Sequence, residues 1–251
     1  MTAPAPHTVP PSGPVPATPG VPEHWAEPVA RYLERLAQLC GPRLLAVTFY
    51  GRWPAASAGQ GPTVSSVAVF DRIDLSVLRA VGSEGHRFGR RGFTAPWVLT
   101  PALIESSRDS FPLELIEIVQ HHTTPFGTDF FAGLAILPPD IRLACERELR
   151  VLEIHLQRGI LTAGDDEEQL GRIAWHAVHS LLRVLAGLAW LSGRREPAAP
   201  FELVATAEKL LARELPGVRR TLDHSDTAHW SKFNLLHADI QALGETADRW
   251  P

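Results

Sequence analysis

The stretch best suited to gripping a ligand is a corner between two apolar β-rich runs. Leu44 to Tyr50 ends in Phe49-Tyr50-Gly51, a small-residue loop follows, and Val64 to Phe70 forms the second run. A strand, a glycine turn, a loop and a strand make a shape that can hold a nucleotide. Other groups are less pointed. His176 and His179 stand three apart on a helical pattern, a metal-compatible spacing, but no third ligand is near in sequence. They are expected to form a hydrogen-bonded core or interface pair. His121 and His122 are adjacent, so on an extended chain they point oppositely and cannot share one metal. His86, Arg87, Arg90 and Arg91 make a basic loop, read as solvated. Glu146 and Arg150 are an i, i+4 pair of the kind that decorates a helix surface. There is no G-x-S-x-G elbow, P-loop, Cys-x-x-Cys pair or dinucleotide-binding glycine fingerprint.

The elements that must position these groups follow from periodicity. Val29, Leu33, Leu36 and Cys40 recur at helical spacing, and Gly41-Pro42 ends the run. Leu44 to Tyr50 and Val64 to Phe70 read as interior strands. Asp74 caps a short helix through Val81, Gly82 to Gly92 is a loop, and Phe93 to Leu99 is a third strand. Thr100-Pro101 starts a helix through about Ser107. Phe111 to Val119 reads as a strand in which Leu113, Leu115 and Glu117 share one face, opposite Glu114, Ile116 and Ile118. After Pro138-Pro139 the pattern is helical. Asp140 caps a stripe of Ile141, Cys145, Leu149, Leu152, Leu156 and Ile160. Leu170 to Leu191, Phe201 to Leu215, and a segment marked by Trp230, Phe233, Ile240 and Leu243 are the other helices. The expected fold is α/β in the α+β sense: a mixed sheet with helices over residues 23–137, then an all-helical bundle over 138–251.

Composition bounds the function. The chain has 251 residues, 45% hydrophobic and 21% charged, an ordinary globular balance. A net charge of −4 supplies no global field to recruit nucleic acid or an anionic membrane. Residues 1–22 hold eight of the 22 prolines and read as a disordered tail. Cys40 and Cys145 sit on apolar helical faces and read as buried free thiols in a reducing compartment. With no secretory h-region, and no apolar run long enough to span a bilayer, the expected location is the cytoplasm.

Three stretches carry a resemblance: APWVLTPALIESSRDSFPLELIEI (Ala95 to Ile118), FGTDFFAGLAI (Phe126 to Ile136) and DIRLACERELRVLEIHLQRGIL (Asp140 to Leu161). With the F-Y-G strand end, they resemble a family of uncharacterised bacterial nucleotidyltransferase-like proteins. These belong to the polymerase-β and kanamycin-adenylyltransferase superfold. The similarity covers residues 43 to 161, and its best motif is Cys145-Glu146-Arg147-Glu148-Leu149-Arg150 after the Gly127-Thr128-Asp129 turn.

The resemblance implies a Gly-Ser turn that binds phosphates through backbone N–H groups, and an Asp-x-Asp pair that holds divalent metal, with a later carboxylate. Here Gly51 keeps the turn, but Arg52 stands where the serine would be. Ser66 and Ala68, within Ser65-Ser66-Val67-Ala68, occupy the acidic positions, so the motif is degenerate. A hydroxyl and a methyl cannot organise Mg²⁺ as two carboxylates do. Glu117, or Glu114 after a slip of face, is the remnant of the later carboxylate. Asp71 and Asp74 lie beyond the strand with the wrong spacing, and read as a solvated loop carboxylate and a helix cap.

The reading is therefore a catalytically degenerate nucleotidyltransferase-fold protein that acts by binding a nucleotide or another small anion, or as a regulatory protein. Gly51, Arg52 and Ser65 form its phosphate site, and the resemblance lets Arg150 face a phosphate as well. No metal or cofactor is expected. One alternative is a working transferase with Mg²⁺ on Asp71, Asp74 and Glu117. Another is an interaction protein that forms a homodimer through the apolar helical half, where Ala177 to Leu191 is apolar nearly all round.

Overall fold

Trp25, Val29, Tyr32, Leu36 and Cys40 recur every three or four residues, and this stripe folds α1 (Glu23–Cys40) onto a sheet. The computed structural model describes residues 20–51, 53, 63–196, 198–223 and 229–250. Most of the proline-rich tail, Arg52 and the loop 54–62 lie outside the described residues. The chain divides into two compact units. The first holds the residues up to Ser107 together with Glu117–Leu134, and the second holds Arg108–Ile116 and everything from Ala135.

In the first unit β1 (Leu44–Tyr50) and β2 (Ser65–Phe70) pair antiparallel, with Val47 opposite Ala68 and Phe49 opposite Ser66. Further along come α2 (Leu75–Ser83), α3 (Gly85–Gly89), β3 (Trp97–Leu99) and α4 (Pro101–Ser106). β3 runs parallel to β2, and β4 (His122–Gly127) pairs antiparallel with β1, so the sheet order is β3-β2-β1-β4. Val47, Phe49, Ala68 and Phe70 cluster with Tyr32 and Leu36 of α1 and with Phe88 and Phe93. The alternate residues Ala46, Thr48, Val67 and Val69 are also fully buried, so both faces of the central strands are covered. Covering on both faces explains why these two strands read as continuous apolar runs.

The second unit is helical. α6 (Pro138–Ala163) packs on α7 (Glu167–Leu191), and α10 (His229–Thr246) packs on both of them. α8 (Pro200–Leu211) and α9 (Pro216–Leu222) lie against α7. Ala177, Val178, Leu181, Val184, Leu185 and Leu188 of α7 are buried inside this unit. The apolarity that suggested a dimer is thus used within one chain. Asp239 is 3% exposed, and its carboxylate accepts the N–H of Val218 at 3.0 Å, which ties α10 to the start of α9.

The helix α5 (Pro112–Gln120) corrects the strand expected over Phe111 to Val119 and carries the chain from the second unit into the first. Glu114 and Glu117 are three residues apart. A strand puts them on opposite faces and would bury one of them, whereas a helix puts both on its wet side. Leu113, Leu115, Ile116 and Ile118 are then all buried. Pro112 opens the helix, where its missing N–H costs nothing. Four smaller differences follow from local chemistry. The Gly82 to Gly92 loop contains α3, and β4 follows directly after His121. α6 begins at Pro138 with Leu137 as its N-cap, so Asp140 lies inside the first turn, facing the helix dipole, and is not the cap. The helix expected to run to Leu215 stops at Leu211, because Ala212 turns left-handed at φ 48°, and Pro216 starts α9.

Cys40 and Cys145 are free and buried, and burial pushes their thiols up to about 11 and about 12. Among the described residues no helix is long and apolar enough to cross a membrane.

Two predictions come from this packing. Gly127 has φ +78°, and a Cβ there would lie 1.8 Å from the Leu45 carbonyl oxygen across the β1–β4 pairing. Gly127→Ala should cost about 3 kcal/mol or more, read as a lower urea midpoint. Burial pushes the Asp239 carboxyl up to about 6, although the Val218 and Gly217 amides pull it down. A raised folded pKa favours folding while the group is protonated, and that contribution is lost as pH rises through it. Native stability relative to Asp239→Asn should therefore fall from about pH 4 to about pH 6, measured by urea unfolding across that range. A pH-independent difference would count against it.

Candidate functional site

The β1–β2 corner is built from the strand ends. Tyr50 is paired with Ser65, and Gly51 follows with φ +79°, a left-handed turn that favours glycine. The Gly51 N–H donates to the His121 carbonyl at 3.0 Å, so it ties the turn to the start of β4. It is not a free phosphate donor, contrary to the expectation for a glycine turn of this kind. The Ser65 side chain is half-buried and has no hydrogen-bond partner among the described residues. The Glu117 carboxylate borders the turn, with Oε1 3.9 Å from where a Cβ on Gly51 would stand. Gly51, Ser65 and Glu117 thus belong to one unit, and Glu117 sits beside Gly51. Arg52, next in the chain, lies outside the described residues.

Ser66 and Ala68 face the other way. Both are 1% exposed, on the side of the sheet covered by α1. The Ser66 hydroxyl lies 3.2 Å from the hydroxyl of Tyr32, and either can donate. Tyr32 stacks on Phe93 with ring centroids 4.4 Å apart and meets Phe88 edge-on at 4.8 Å. Burial pushes the Tyr32 phenol up to about 12, so it stays neutral. These residues do not fit a divalent metal. The positions at which the resemblance expects carboxylates carry a hydroxyl bonded to a phenol and a methyl in an aromatic core. The expected α1 stripe named Leu33 and passed over Tyr32, although Tyr32 has helical spacing to Val29 and Leu36; its bond to Ser66 needs the fold.

The other carboxylates have separate duties. Asp74 caps α2, accepting from the Ser76 N–H at 2.9 Å and pairing with Arg43. Those contacts, with Ser76 first, hold its carboxyl well below the usual range. The exposed Asp71 accepts from the Arg72 N–H at 2.6 Å. Glu114 lies in the second unit, 3.4 Å from Arg183. Among the described residues no three His, Cys, Asp or Glu side chains converge on a metal-sized site.

The remaining candidates are placed as follows. The Glu146–Arg150 pair does not form. Glu146 pairs with Arg142 at 3.5 Å, while Arg150 meets Glu153 and donates to the Gly244 carbonyl, each at 3.3 Å. The i, i+4 and i, i+3 alternatives on one helix are nearly equal in energy, so tertiary contact with α10 decides between them. His176 and His179 are both exposed, not core. His179 Nδ1 lies 2.8 Å from the Trp175 carbonyl. The feature missed from sequence is a bridge between His122 and Asp129. His122 Nε2 is 3.1 Å from the Asp129 carboxylate, and Nδ1 is 2.9 Å from the Ile118 carbonyl. Burial raises the Asp129 carboxyl, but the Phe131 amide and His122 outweigh it and leave it below its ordinary value. His122 opens β4 and Asp129 follows it, and recognising that strand was the signal required.

Comparison with known proteins bears on the fold. No protein-family model matches the chain, and no curated protein matches it in sequence. Among solved structures, the spectinomycin adenyltransferase AAD(9) from Enterococcus faecialis, determined with ATP and spectinomycin, is similar to it with a TM-score of 0.52. The identity is 12%, and the match covers 86% of this chain and 98% of that one. The chain has a nucleotidyltransferase-like fold: a mixed sheet with helices, followed by a helical C-terminal part.

If the Ser66 side of β2 is a closed core, an acid placed there must be buried. Ser66→Asp should cost on the order of 3 kcal/mol and create no Mg²⁺-dependent rise in melting temperature. Native-like stability together with a Mg²⁺-dependent rise would show an accessible metal position there.

Proposed function

We propose that this nucleotidyltransferase-fold protein binds a nucleotide or a similar small phosphorylated anion and does not carry out metal-dependent transfer. The observation that carries the reading is the Tyr32–Ser66 contact at 3.2 Å, in a strand face that is 1% exposed. A transferase of the expected kind needs two ionised carboxylates there, gathered around metal that offsets the triphosphate charge. In this reading Tyr32 has taken that space into the core.

What remains at the corner suits binding. The Ser65 hydroxyl, without a hydrogen-bond partner among the described residues, can donate to a phosphate oxygen. Arg52, directly after the Gly51 turn, brings a permanent positive charge with a planar fork of donors that suits phosphate. Glu117, an acceptor, suits the hydroxyls of a ribose better than its phosphates. Arg150 is left out of this reading, because its guanidinium already serves the Gly244 carbonyl and Glu153. The fold neighbour was determined with ATP, which makes a nucleotide the first ligand to try. Regulation through the bound ligand is the role such a protein would have.

The test is the melting temperature with ATP, CTP, GTP and UTP, each with and without Mg²⁺. A ligand at 100 times its Kd adds about 2.7 kcal/mol to native stability, enough to read as a shift of a few degrees. The expected result is a rise that needs no Mg²⁺ and disappears in Arg52→Ala. A rise that requires Mg²⁺, with nucleotidyl transfer lost in Glu117→Gln, would overturn the reading in favour of a working enzyme using Asp71, Asp74 and Glu117.

A further inference from the structure

Arg87 and Arg91, which the sequence places in a solvated basic loop, meet two arginines of α1. Arg31, Arg35, Arg87 and Arg91 line a groove of about 330 Å³ whose rim also carries Glu34 and Gln38. The buried side chain of Phe88 forms part of its wall. All these residues belong to the first unit.

Their partners show which charges are spoken for. Glu84, 15% exposed at its side chain, accepts from Arg35 and lies 3.5 Å from Arg87. One carboxylate thus orients two guanidiniums while neutralising a single charge. Arg31 pairs with Glu27 where both side chains are more than half exposed. Such a surface pair is worth about 0–1 kcal/mol and exchanges readily for another anion. Arg91 is half-buried and has no side-chain partner among the described residues. A guanidinium withdrawn from water without an acceptor is costly, and an anion in the groove removes that cost. Gln38 donates to the Glu34 carboxylate at 3.3 Å on the exposed rim.

We infer that this groove is a second anion site, separate in its residues from the Gly51 corner, that takes a small molecule bearing one or two phosphoryl groups. Arg91 and Arg31 supply the primary contacts. Glu84 acts as a positioning residue that holds Arg35 and Arg87 at the rim.

The test is calorimetric titration of the full chain with inorganic pyrophosphate at low salt, without metal. Saturable binding is expected in the native protein, and in Arg52→Ala, which disables the Gly51 corner, one saturable site should remain. Arg91→Gln should weaken it about tenfold or more, the usual cost of losing a hydrogen bond to a charged group. Arg31→Gln should weaken it as well, and it serves as the second variant if Arg91→Gln melts below the native protein. Absence of saturable binding, unchanged binding in both arginine variants, or loss in Arg52→Ala would each overturn the assignment. Failure of nucleotide binding at the Gly51 corner would leave it standing.

Discussion

The packing of α1 across the sheet through Tyr32 is the contact on which the first unit depends. Tyr32 is 1% exposed and stacks on Phe93, while its hydroxyl reaches Ser66 near the start of β2. Each aromatic pair contributes on the order of 1 kcal/mol beyond the area it buries. The hydroxyl cannot be buried without a partner, so Ser66 is bound up with the packing. A carboxylate at that point would lie against the same rings and would have to lose its charge or expel them. That strand face therefore serves cohesion.

The helical unit is held by a comparable constraint of another kind. α7 is buried along most of its length, so its neighbours must satisfy its apolar surface from several sides. α10 crosses to α9, where the Asp239 carboxylate answers the N–H of Val218 at the start of a short helix. Burial of that carboxyl opposes its ionisation, and the amides favour it. The contact thus fixes position at some cost in stability. Arg150 and Glu153 bind α6 to the same helix at its surface.

The two anion readings rest on one principle applied at different places. A guanidinium offers charge without a proton to lose, so it can hold a phosphate where no metal is organised. At the Gly51 corner this rests on Arg52 in the sequence and on the Ser65 hydroxyl, which has no partner among the described residues. In the groove between α1 and α3 it rests on the half-buried Arg91, which has no side-chain acceptor among the described residues.

Much of this was readable from residue order, because it depends on local chemistry. The α1 stripe, the two apolar strands, the Asp74 and Thr100 caps, and the bundle helices follow from periodicity and capping. Proline opens α4, α5, α6, α8 and α9, and giving that signal more weight at Pro112 would have identified α5 as a helix. The spacing of Glu114 and Glu117 told the same story, but a run of apolar residues also satisfies a buried strand. Ser66 and Ala68, where the resemblance expects acids, were visible as letters. Tertiary structure alone decided that they face an aromatic core, that the Gly51 N–H is spent on His121, and that His122 meets Asp129. It also decided that arginines more than fifty residues apart share one groove. Those facts depend on which elements lie side by side. Short-range propensity carries no information about such neighbours, because they are chosen by the burial of surfaces distant in the chain.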